Sequence, residues 1–91
     1  MDICFYATLR PIVGGKRVSF DLAPGTTVAV LLRKASDRFP ELGPLIWEPG
    51  GAFRDFLKVF VDGREARYLQ GLDTVIASTA EVDIFPPVAG G

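Results

Sequence analysis

The clearest chemical capacity in this chain lies in its last seven residues, Phe85-Pro86-Pro87-Val88-Ala89-Gly90-Gly91. An apolar strand, Val82-Asp83-Ile84-Phe85, runs into them. Neither proline can donate a backbone N–H, so strand pairing must stop there. Consecutive prolines favour an extended path, which projects the remaining residues away from the body. Gly90 and Gly91 lack a Cβ and accept backbone angles closed to other residues. Such an end can enter a channel too narrow for any side chain. The reactive group it offers is the carboxylate of Gly91. With a pKa of about 3.5 that group is ionised and a poor electrophile. It reacts only after a second molecule supplies a leaving group. The pattern predicts a body whose task is to present a C-terminal carboxylate to an enzyme.

Composition removes most alternatives. The 91 residues include no histidine and a single cysteine, Cys4. Histidine acid–base chemistry, Cys/His and Ser/His nucleophilic pairs, and metal sites built on His or several Cys are excluded. No acidic cluster has the spacing of a Ca²⁺ or Mg²⁺ loop. Ten Lys and Arg against eleven Asp and Glu leave a net charge of −1. That balance argues against nucleic acid, whose phosphates need a basic face. No apolar run reaches the ~20 residues that span a bilayer. Asp2 and Cys4 stand where a secretory signal would carry basic charge. A lone cysteine forms no internal disulfide and suits a reducing compartment. We therefore expect one cytoplasmic domain over residues 1–91 with an extended tail at 86–91. It should have no bound cofactor or metal, no nucleic-acid or membrane partner, and no independent active site. Cys4 is expected to be structural or incidental, since no activating base is near it in sequence.

The elements that must hold the tail are set by periodicity. Ile3, Phe5, Ala7 and Leu9 alternate with polar or smaller residues, predicting a first strand over 2–9. Gly14-Gly15 marks a turn. Val18, Phe20 and Leu22 then predict a second strand, antiparallel to the first. Thr26 or Thr27 caps a helix carrying the stripe Val28, Leu31, Leu32, Ala35 and Phe39. Its other side, with Arg33, Lys34 and Arg38, is either an ordinary solvated face or a site for an acidic partner. Pro40 ends the helix. Residues 40–56 form a long connection with a helical turn at Leu45–Trp47, pinned by Ile46, Trp47, Phe53 and Phe56. Trp47 serves there as an anchor or lines a pocket. Leu57, Val59 and Val61 predict a third strand, Asp62-Gly63 a hairpin turn, and 65–68 a fourth strand. Residues 71–74 form a loop before the last strand at 81–85. This order fits an α+β fold, a mixed sheet of four to five strands wrapped around one main helix. The last strand pairs in parallel beside the first, at the sheet centre.

Strand parity puts Ile3, Phe5, Val59, Val61, Val82 and Ile84 on the core face. Tyr6, Phe60 and Phe85 then point away from the helix. Three outward aromatics at the base of a tail predict an apolar docking face.

The tail resembles the C-terminus of the small, sulfur-carrying subunit of molybdopterin synthase, in the MoaD/ThiS family. The opening Phe5-Tyr6-Ala7-Thr8-Leu9-Arg10 resembles that family's first strand, and Phe56 to Gly71 is similar to MoaD-like carriers. The resemblance implies a ubiquitin-like β-grasp fold and a reaction cycle. An E1-like adenylating enzyme consumes ATP to activate Gly91. A sulfur donor converts the acyl-adenylate to a thiocarboxylate, and the sulfur passes to an acceptor. In molybdenum cofactor biosynthesis that acceptor is a pterin precursor, and the partner is the large catalytic subunit of molybdopterin synthase. The partner-binding residues implied are Tyr6, Phe60, Phe85, Pro86, Pro87, Val88, Ala89 and Gly90. Two features depart from the family pattern. Ser78-Thr79-Ala80-Glu81 lacks the glycine common before the last strand. The connection from Pro40 to Phe56 is longer than in the simplest members, as in carriers for cysteine synthesis or tRNA thiolation. A ubiquitin-like modifier joined to target lysines, and a plain binding module whose Gly-Gly end is incidental, are the readings from other classes. With nothing written after Gly91, no maturation protease is expected.

Overall fold

The computed structural model describes residues 1–87; Val88, Ala89, Gly90 and Gly91 lie outside the described residues. Five strands form one mixed sheet: β1 (Asp2–Phe5), β2 (Arg17–Ser19), β3 (Lys58–Val61), β4 (Arg64–Glu65) and β5 (Val82–Phe85). Their order is β2-β1-β5-β3-β4. β5 runs parallel to β1 and antiparallel to β3, so the last strand does sit at the centre. The helices are α1 (Leu9–Val13), α2 (Val28–Arg38) and α3 (Gly43–Ile46).

The principal helix α2 forms where its apolar spacing places it. The Thr27 hydroxyl accepts the Val30 N–H at 3.3 Å and satisfies one free donor of the first turn. Val28, Leu31, Leu32 and Ala35 are buried in one core with Ile3, Phe5, Val59, Val61, Val82 and Ile84. The apolar members of each strand thus face the helix, and their alternates face away. Between β3 and β4, Asp62 and Gly63 have φ of 52° and 79°. Two positive values in succession are what a two-residue hairpin of matching twist requires.

Five expectations are corrected. The first strand ends at Phe5, not Leu9. Ala7 turns the chain at φ 52° and α1 comes next, closed by Gly14 at φ 82°. Leu9 stays buried because it and Val13 lie one turn apart on the same face of α1. The β1–β2 pair is antiparallel, but α1 fills its connection and β2 stops at Ser19. In the long connection the helical turn lies at Gly43–Ile46 rather than Leu45–Trp47. Phe56 does not pin it: that ring is 48% exposed. Asp55, at φ 60°, swings the chain so that Leu57 enters the core instead. Finally, β4 ends at Glu65 and residues 66–68 form a 3₁₀ turn that buries Ala66. Among the described residues no helix is long and apolar enough to cross a membrane.

Candidate functional site at the root of the tail

β5 delivers Phe85 to the end of the sheet, on the face turned away from α2. The Tyr6 N–H donates to the Ile84 carbonyl at 3.1 Å, which holds Tyr6 alongside. The two rings stack, with centroids 4.2 Å apart and planes within 9°. Phe60, on β3, meets Phe85 edge-on at 5.4 Å and 78°. Both are favoured aromatic geometries. The structure therefore brings Tyr6, Phe60 and Phe85 together around the residue from which the tail leaves. Pro86 is half-buried and Pro87 exposed. Lys58, Phe60, Phe85, Pro86 and Pro87 line an open, almost wholly apolar groove of about 360 Å³. The expected site residues Val88, Ala89, Gly90 and Gly91 lie outside the described residues.

The cluster is fixed by polar ties at its edge. The Tyr6 hydroxyl donates to Asp83 Oδ1 at 2.8 Å. That hydrogen bond, then partial burial, then the Asp83 charge, raise the Tyr6 pKa above the ordinary 10.0, and Arg10 opposes them. The Arg10 guanidinium lies 5.3 Å from the Tyr6 ring centroid, and its Nε donates to the Phe5 carbonyl at 2.9 Å. Sequence reasoning gave Arg10 no role. It reaches Tyr6 only because α1 replaces the far end of the expected strand, and periodicity carried no signal of that turn. The arrangement offers no acid, base or nucleophile poised for chemistry. It can aim a tail and receive an apolar surface.

Cys4 is half-buried and lies between Arg17 and Asp83 in the strand register. Among the described residues no group of three His, Cys, Asp or Glu is placed to hold a metal ion. Trp47 is an anchor. Its Nε1 donates to Ser36 Oγ at 3.1 Å, and its ring lies beneath Arg33. The helix cations are used within the fold: Arg38 donates to the Ser19 carbonyl at 2.7 Å, and Lys34 to that of Asp21 at 3.4 Å.

Comparison with known proteins agrees with this geometry. The ThiS family model matches residues 3–91. Small archaeal modifier protein 3 of Haloferax volcanii is 32% identical over 91 residues, covering 100% of this chain and 98% of that one. Sulfur carrier protein CysO of Mycobacterium tuberculosis is 33% identical over 86 residues, covering 91% and 89%. Among solved structures, small archaeal modifier protein 1 of Methanosarcina acetivorans superposes at TM-score 0.85 with 27% identity, over 99% of this chain and 94% of that one. A ubiquitin-like β-grasp body, matched end to end by small sulfur carriers and modifiers, makes this chain a member of the ThiS family.

Proposed function

We propose that this chain carries sulfur on its C-terminus. One observation supports the reading most: the central strand ends in Phe85, clamped by Tyr6 and Phe60, where the tail begins. An E1-like adenylating enzyme docks on that cluster and takes the tail into its channel. A Gly91 carboxylate oxygen attacks the α-phosphorus of ATP, and pyrophosphate leaves. Sulfide, or a persulfide followed by thiol reduction of the acyl disulfide, then displaces AMP. The product is a thiocarboxylate whose sulfur is the nucleophile toward the acceptor. ATP is consumed by the partner, and no cofactor stays with this chain. Because the three rings already cover one another, each contributes only about 1–2 kcal/mol on docking at ~25 cal/mol per Å².

We place the acceptor in molybdopterin synthesis, on the resemblance of Phe85–Gly91 to the tail of that synthase's small subunit. A second reading is conjugation to protein lysines. It is favoured by the end-to-end similarity to small archaeal modifier protein 3. Incubation with an adenylating enzyme, ATP and sulfide, followed by intact-mass measurement, tests the first step. The expected change is the replacement of one oxygen by sulfur at Gly91; an unchanged mass overturns the proposal. The thiocarboxylate is then offered to a molybdopterin synthase large subunit with its pterin precursor. Pterin product supports the first reading, and an isopeptide-linked ladder on protein targets the second.

A further inference from the structure

A second surface, sharing no residue with the aromatic root, has the features of a peptide-binding edge. Four of the five exposed large hydrophobics of the described residues are Val30, Tyr68, Leu69 and Val75. Val75 bridges to Thr27, whose hydroxyl receives the Val30 N–H. Leu69 and Val75 line one open groove of about 440 Å³ with Gln70 and Thr74, and Tyr68 adjoins Leu69. Tyr68 is 80% exposed and Val75 58%.

The backbone supplies the second observation. The segment 74–76 is tied to 26–28 by two hydrogen bonds, Val28 N–H to Thr74 C=O at 2.9 Å and Ile76 N–H to Thr26 C=O at 2.8 Å. That pattern turns the N–H and C=O of Val75 away from Thr27. Neither group has a hydrogen-bond partner among the described residues. An outward N–H and C=O on extended chain are a template for one more strand.

We propose that this edge binds a short extended peptide, paired to the Val75 backbone, with one uncharged apolar side chain seated beside Leu69. Two facts choose that occupant. The groove-lining residues Leu69, Gln70, Thr74 and Val75 carry no charge, so a charged side chain gains nothing there. Four side chains fall far short of the ~800 Å² per partner of a stable protein interface, which disfavours a second copy of the chain. The residues lining this groove share none with the Tyr6–Phe60–Phe85 cluster or the groove beside it. The inference stands independently of what Gly91 carries.

The test is an amide NMR titration of the full-length chain with the capped octapeptide Lys-Thr-Thr-Val-Ile-Val-Thr-Lys. Shifts centred on Leu69, Val75 and Ile76 that saturate at one site are expected. N-methylation of the peptide's central isoleucine should weaken binding about fivefold, the net worth of one hydrogen bond. The exposed pair Leu69→Ser with Val75→Lys should abolish the shifts and leave Gly91 thiocarboxylation unchanged. Shifts confined to the β2 or β4 edge, indifference to N-methylation, or concentration-dependent shifts without peptide would each overturn the proposal. The N-methylated peptide keeps the test decisive if the double variant does not fold.

Discussion

Two aromatic clusters in this molecule look alike in sequence and differ in what covers them. Trp47 and Phe53 meet edge-to-face at 6.1 Å. The Trp47 indole N–H, its ring face and its carbonyl are all engaged, by Ser36, Arg33 and Arg54. Tyr6, Phe60 and Phe85 are also packed on one another, yet an open apolar groove adjoins them, and the tail starts there. The first cluster is used up in fastening a long connection to a helix. The second keeps a free side. An aromatic group signals a docking face only when its neighbours leave part of it unclaimed.

Separating the two clusters by experiment begins at the tail itself. Deleting Gly91 should abolish thiocarboxylate formation completely, read by intact mass, with an unchanged thermal midpoint. A fall in stability would show the tail to be part of the fold. Next, Trp47→Ala should cost about 3 kcal/mol of stability, at the low end for aromatic truncation because the ring is only half-buried. Chemical denaturation measures this, and affinity for the adenylating enzyme should not change. Phe85→Ala should do the reverse. Partner binding weakens about tenfold, or ~1.4 kcal/mol, in titration calorimetry, with a smaller loss of stability from the missing ring contacts. Equal effects of both variants on both measurements would dissolve the distinction between anchor and docking face.

The smallest effect concerns the Tyr6–Asp83 hydrogen bond. It raises the Tyr6 pKa above 10.0, so its contribution to stability is present below that value and fades as pH climbs through the raised midpoint. Asp83→Asn, in a Tyr68→Phe background, should move the remaining tyrosine titration down toward 10.0, read from ultraviolet absorbance. A midpoint that does not move would mean that the bond is absent in solution.

Much of this arrangement was legible because two periodicities do not overlap. Val59/Val61 and Val82/Ile84 alternate cleanly, and Val28, Leu31, Leu32 and Ala35 keep helical spacing. Strand parity then separates Tyr6, Phe60 and Phe85 from the core without reference to any structure. Legibility failed where one residue satisfies both patterns. Leu9 is buried either as the fourth alternate of a strand or as the first residue of a helix, so the turn at Ala7 left no trace in hydrophobicity. Phe56 failed for a different reason. A large ring is expected inside, but the left-handed Asp55 hands the inward place to Leu57. A positive φ at Ala7 carries no compositional signature, whereas the one at Asp62 is announced by the glycine after it.

The central position of β5 also bears on how such a chain is made. Among the described residues, β5 is the strand that joins the β1–β2 pair to the β3–β4 pair, and without residues 82–85 those two pairs share no ladder hydrogen bonds. Nascent or truncated chains that stop short of it hold two separate two-stranded ribbons, which are marginal alone. Closure must await pairing of the first strand with the last, the strand pairing most distant in sequence, and such topologies fold slowly. The same strand that completes the sheet supplies Phe85 and precedes the tail by no residue at all. The packing of Tyr6 and Phe60 around Phe85 is therefore complete only once β5 has taken its place.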